Sequence, residues 1–322
     1  MGAYRLFLAF CVLESHVFGN VMGQDIGATA VISFLIMSGY VMTMMVSKYY
    51  HNLADAPLFY ADRAARLFPQ YLFYLAAILL SVHFIGIHSY FLSARGPVYI
   101  LLNVLILPLD FYMLGFESAL YNPPAWSLGL EFCFYLVFPF FWQLSFRWKY
   151  ICIICSLVVA VMALTGLINT DWFGYRLLPG TFFIFIIGAA LARPDKIGRH
   201  YPAVIAGLAV IPLIAILVDK RLFGLHNNSD VMAGIVIGVI AVSVLKKKRF
   251  SNIDEFLSNL SYGVYLNHFL ILWIVQRFGL SLFVVPIVSP FLAYASYLLV
   301  EKPALHWRHR LRQKVSLNQP VT

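Results

Sequence analysis

The sequence predicts an all-α polytopic integral membrane protein with about ten transmembrane helices and both termini cytoplasmic. Three observations lead there. Hydrophobic residues make up 61% of the 322-residue chain and charged residues only 11%, too few to cover the surface of a soluble domain. The apolar residues run in continuous blocks rather than alternating, which argues for helices and against a barrel. The basic residues gather in short clusters between those blocks, the pattern of the positive-inside rule. The formal net charge of +9 therefore reports orientation in a lipid bilayer, and no nucleic-acid partner is expected.

Apolar segments fall at 4–22, 29–47, 67–86, 96–112, 129–145, 150–167, 178–193, 202–218, 231–245, 259–276 and 281–300. The first reads as a retained span rather than a signal peptide. Glu14 and His16 interrupt it, and no clear small-residue cleavage site follows. Basic residues at Lys48, Arg63 to Arg66, Arg147 and Lys149, Arg193 to Arg199, Lys246 to Arg249 and Lys302 to Lys314 are all assigned to the cytoplasm. From Arg147 onward every second connection is basic. Upstream there is one segment too many. The short run Val98 to Leu107, closed by Pro108, is the one to remove, as a re-entrant or interfacial piece near 96–112. Ten spans remain, in a single membrane domain over 1–314 with a polar, disordered tail over 315–322. Cys11, Cys133, Cys152 and Cys155 all lie in apolar segments. The Cys152-x-x-Cys155 spacing has no second pair or histidine cluster beside it, so these read as small buried apolar residues.

Four stretches carry candidate chemistry. Arg5 and His16 are eleven residues apart, close to a whole number of helical turns, so a helix here puts both on one face, about 16 Å apart. A neutral imidazole in the membrane suits a general base, or serves a helix–helix hydrogen bond. Glu14 lies off that face. Arg63 and Arg66, at i and i+3, read either as interfacial anchors or as a phosphate clamp with Arg5. Glu131 follows Trp126 and Ser127 at the opening of an apolar helix, with Tyr135 one turn beyond. It reads as a first-turn acid, or as a carboxylate that orients a histidine on a facing helix. Ser127 is expected to be the N-cap. Tyr265 and His268 open the penultimate span at i and i+3.

These residues together resemble the membrane acyltransferase-3 family. Arg5 and His16 match its arginine-x10-histidine signature. Phe34-Leu-Ile-Met-Ser38-Gly39-Tyr40 is similar to its second-span motif, and Arg63-Ala-Ala-Arg66 to its arginine pair. Trp126-Ser-Leu-Gly-Leu-Glu131 with Phe134, Tyr135 and Pro139, then Ser261-Tyr-Gly-Val-Tyr265-Leu-Asn-His268, then Val300-Glu-Lys-Pro303, continue the match in order. Asn267, Phe132 and Ser15 depart from residues common in the family. The resemblance implies acyl transfer, usually of acetyl, to sugars of bacterial surface and secreted polysaccharides. It implies acyl-coenzyme A as co-substrate, no bound cofactor and no metal. It also implies a bacterial inner-membrane location, a polysaccharide or lipid-linked glycan acceptor, and glycan-assembly machinery as a further partner. Arg5, Arg63 and Arg66 would bind acyl-coenzyme A. His16 and Glu131 would be catalytic, with Glu131 at the outer side. Trp126, Ser127, Tyr135, Tyr265 and His268 would support the acceptor side. Direct transfer and an acyl-enzyme route are both open. A transporter or flippase for a lipid-linked sugar or small anion is the alternative, though no internal repeat supports it.

Overall fold

In the computed structural model, residues 1–21, 23–247 and 251–307 are described. Lys248, Arg249, the basic residues from Arg308 to Lys314 and the expected tail at 315–322 lie outside the described residues. The secondary structure is helical. The elements are α1 (Gly2–Phe18), α2 (Ile26–Tyr49), α3 (Ala56–Phe84), α4 (Pro97–Leu105), α5 (Trp126–Gln143), α6 (Phe146–Leu164), α7 (Leu178–Ala192), α8 (Pro194–Ile197), α9 (Tyr201–Val218), α10 (Asn228–Leu245), α11 (Asn252–Arg277) and α12 (Val284–Ser296).

Among the described residues, eight helices are long and apolar enough to cross a membrane; they are built on α2, α3, α5, α6, α7, α9, α10 and α12. Two more long helices fall outside that set. One is α1, at 17 residues, and the other is α11, at 26 residues, which carries Asp254, Glu255, Asn259, Asn267 and His268. Successive long helices alternate in direction. At one end, Gln143 donates to the His51 carbonyl, Tyr150 to Ile197 and Lys246 to Leu191. At the other, the Asp25 amide donates to Asp230, and Asn228 donates to the Leu164 carbonyl.

The segment near 96–112 folds as α4 followed by a 3-10 stretch, Leu107–Leu114. A nine-residue helix is about 14 Å long, under half of the hydrocarbon thickness, so α4 does not span. Asn103 holds the piece in place. Its buried amide donates to the Tyr99 and Ala119 carbonyls and accepts from the Tyr121 amide, while Tyr71 on α3 donates to its carbonyl. Asn122 then donates to Leu266 on α11, which fixes the entry to α5 against that helix.

The centre of the bundle is set by small residues. An added Cβ at Gly39 on α2 would lie 1.8 Å from the Phe185 carbonyl oxygen on α7, and one at Gly188 would lie 1.8 Å from that of Ile36. Only glycine admits this approach, and close backbone packing replaces the hydrophobic drive that lipid removes. The helix α3 starts at Ala56, well before the apolar stretch expected at 67–86, so Arg63 and Arg66 lie within its body rather than before it.

Candidate active site

The helices α1 and α11 run side by side in the same direction. The Met1 amine bonds Asp254 at 2.7 Å near the start of both, and His16 meets His268 farther along. The face of α1 that carries Arg5 and His16 is therefore the face packed on α11. Arg5 and His16 divide the site into two parts.

The first part is a cavity of about 350 Å³, at the small end of the range for ligand pockets. Arg5, Arg63, Arg66, Ser38, Glu131 and Tyr135 line it, and Ser127 and Tyr265 lie at its wall. The three arginines, separated by up to 61 positions in sequence, gather because α1, α3 and α11 enclose the same space. Arg63 is buried at 3% exposure, pairs with Asp62 beside it and lies over the Tyr135 ring at 5.9 Å. Arg66 pairs with Glu301, itself 3% exposed, at the end of the π-helical turn Tyr297–Glu301 that follows α12, and lies over Tyr262 at 5.2 Å. Among the described residues, no carboxylate comes within ion-pair distance of Arg5.

Glu131 sits with the arginines and not with the histidine. Its Oε1 accepts a 2.5 Å bond from the Ser38 hydroxyl on α2, and no hydrogen bond or ion pair joins it to His16. Its expected outer position is thus replaced by one in the cavity, because it lies a full turn and a half inside α5. Ser127 is not an N-cap either. The helix begins at Trp126, and the Ser127 hydroxyl donates to the Pro124 carbonyl or bonds the Tyr265 hydroxyl at 2.7 Å.

The second part is the histidine pair. His16 Nδ1 and His268 Nε2 are 3.0 Å apart. The two rings are 7° from parallel with centroids 5.2 Å apart. That separation exceeds the N···N distance by about two ring radii, so the rings meet edge to edge in one plane. His268 is fully buried, and its Nδ1 lies 3.3 Å from the Val264 carbonyl oxygen. His16 keeps exposed surface. The two parts adjoin through Tyr265, whose ring lies 6.2 Å from that of His268 and 6.0 Å from Phe34.

One cationic residue escaped the sequence reading. Arg176, at the end of the π-helical turn Trp172–Arg176, donates to Asp171 at 2.8 Å and lies over the Trp126, Tyr175 and Tyr112 rings at 4.6, 5.2 and 5.6 Å. It acts electrostatically on His16 from the same end of the bundle, as does Asp25, which the Ser15 hydroxyl contacts at 2.6 Å. Trp126 belongs to this aromatic cluster and not to the cavity lining. The only sequence signal for Arg176 was a lone arginine ahead of an apolar run.

No solved structure matches the chain. A protein from Rhizobium leguminosarum bv. viciae named Nodulation protein 10 is 28% identical, with 95% of this chain and 93% of the relative covered. An uncharacterized protein of Aquifex aeolicus is also 28% identical, over 59% of this chain and 90% of its own length. Residues 3–300 match the family model described as Acyltransferase domain, nearly the whole chain, so the protein belongs to the membrane acyltransferase-3 family that its ordered motifs resemble.

Proposed function

We propose that this protein is an O-acyltransferase of the bacterial inner membrane, with both termini cytoplasmic. It moves an acyl group, acetyl in the simplest case, from cytoplasmic acyl-coenzyme A to a sugar hydroxyl of an exopolysaccharide, O-antigen or lipid-linked glycan precursor. The observation that carries this reading is the cavity holding Arg5, Arg63 and Arg66, which ends one tyrosine ring from the His16–His268 pair.

Guanidinium groups suit the phosphates of coenzyme A, since each offers a planar fork of donors. Arg5 is the best placed to take a new anion, because among the described residues no carboxylate lies within ion-pair distance of it, whereas Arg63 and Arg66 are each paired. The pantetheine arm then runs along the apolar lining toward Tyr265, which brings the thioester near His16. The acceptor hydroxyl arrives from the other end, where His16 has exposed surface and Trp126 and Arg176 lie nearby. His16 takes the hydroxyl proton as the C–O bond forms at the thioester carbonyl carbon. The C–S bond breaks, and the departing thiolate takes that proton back as free coenzyme A. In the acyl-enzyme route the acyl group rests first on His16 or another side chain, and the same proton movements follow in two steps. Glu131, held by Ser38, sets the charge balance of the cavity beside Arg5 and Tyr135.

His16→Ala is expected to abolish transfer while the protein inserts and folds as before. Comparison of surface and secreted glycans by NMR, from cells with the wild-type and the variant protein, reads both the acyl group and the acceptor hydroxyl. Undiminished acylation in cells carrying only His16→Ala would overturn the assignment.

A further inference from the structure

We infer that His268 is the positioning residue for His16: it fixes the imidazole in the tautomer whose Nε2 lone pair is free. This rests on the reading of His16 as the group that receives the acceptor proton or the acyl group. The argument is one of donors and acceptors. A carbonyl oxygen only accepts, so the 3.3 Å contact to Val264 requires the proton of His268 on Nδ1. A neutral imidazole carries one N–H, which leaves His268 Nε2 as an acceptor. The 3.0 Å contact then requires the proton of His16 on Nδ1. Nε2 of His16 is left unprotonated.

The pair is built for orientation. Coplanar rings align the His16 N–H with the in-plane lone pair of His268, and Phe269 closes one side at 5.0 Å from the His16 ring. His268 is fully enclosed and anchored to its own helix, whereas His16 is the exposed member. The division of labour is that of a base held by a third group, with a buried imidazole where a carboxylate is commoner. No carboxylate among the described residues hydrogen-bonds either ring. The reactive nitrogen therefore gains direction and tautomer from an imidazole rather than from a hydrogen-bonded carboxylate, the nearby Asp25 being held by Ser15 and not by either ring.

The test compares His268→Leu, which removes the acceptor, with His268→Gln, whose amide oxygen reaches toward the place of Nε2. Both are assayed for acyl transfer alongside His16→Ala, and the wild type is measured by 15N NMR with labelled histidine. Expected are a fall in kcat of roughly 10²- to 10³-fold for His268→Leu with the KM for acyl-coenzyme A nearly unchanged, and recovery to within about tenfold of wild type for His268→Gln. In the wild type, His16 should show a protonated Nδ1 and a bare Nε2. A His268→Leu enzyme with wild-type kcat, a glutamine variant no better than leucine, or a His16 carrying its proton on Nε2 would each overturn the inference. If His16→Ala still turns over, the reading of His16 itself fails. If His16→Ala is inactive and His268→Leu is not, only the positioning role fails. Should the leucine variant not fold, the tautomer in the wild type decides.

Discussion

The three cavity arginines carry the same charge but are tethered differently, and that difference predicts distinct phenotypes. Arg5 has no carboxylate partner among the described residues, so Arg5→Ala removes a free donor for a phosphate. Hydrogen bonds to charged groups are worth about 1.5–3 kcal/mol, which corresponds to roughly a 10- to 100-fold weaker dissociation constant for acyl-coenzyme A. The melting temperature in detergent should stay near that of wild type, and an unchanged dissociation constant would remove Arg5 from the donor site. Arg66 is bound to buried Glu301. Removing one member of such a pair leaves an uncompensated charge, at a cost of about 3–5 kcal/mol. Arg66→Ala is therefore expected to lower the melting temperature, and adding Glu301→Gln to restore much of it; no recovery in the double variant would contradict the pairing. The sequence made Arg5, Arg63 and Arg66 candidates as a set, but the partners that distinguish them lie far along the chain. Glu131 was legible as unusual, whereas its bond to Ser38, 93 positions away, was not. The same holds for the histidine. A carboxylate is the expected orienting group, but the hydrogen-bond partner of His16 is an imidazole on a helix 252 positions later.

At the scale of elements, two closely packed glycines have a mechanical role. Gly39 and Gly188 set the approach of α2 and α7, whereas a Cβ at Gly207 on α9 meets nothing within 4 Å. Gly39→Ala and Gly188→Ala are therefore expected to force the pair apart and cost about 1–3 kcal/mol, as overpacking does, seen as lower folded yield and melting temperature. Gly207→Ala should be neutral or slightly stabilising, since alanine is the better helix former. Equal effects at all three positions would show that the α2–α7 contact does not set stability. Apolar length located most of these helices because lipid demands it. It located α4 as too short as well. It misjudged the start of α3, because an amphipathic first section with two arginines continues the same helix without an apolar signal. Length and hydropathy together pass over α1 and α11, which are short or polar and meet each other through the His16–His268 pair.

At the scale of the whole molecule, the alternation of helices and the clusters at Lys48, Arg147, Arg193 and Lys246 define one basic end. That end is expected to face the cytoplasm. Single cysteines placed at Arg147 or Asp195 in a cysteine-free background should react with a membrane-impermeant thiol reagent only after the membrane is opened. Cysteines at His88 or Leu222 should react in intact spheroplasts, and the reverse pattern would invert the orientation. Fold class and motif order were legible in the sequence; the adjacency of first and penultimate helices was not, because no local pattern encodes which helices become neighbours. That adjacency has a consequence for biosynthesis. The Arg5- and His16-bearing helix is complete at residue 18, but its packing partner extends to Arg277. At about 5–20 residues per second, translation leaves it waiting roughly 13–50 s for that partner. During that interval an arginine and a histidine sit in or beside the membrane with no α11 to cover them. The nascent helix would therefore depend on the insertion machinery, or on a provisional neighbour such as α2, to keep its place until the end of the chain arrives.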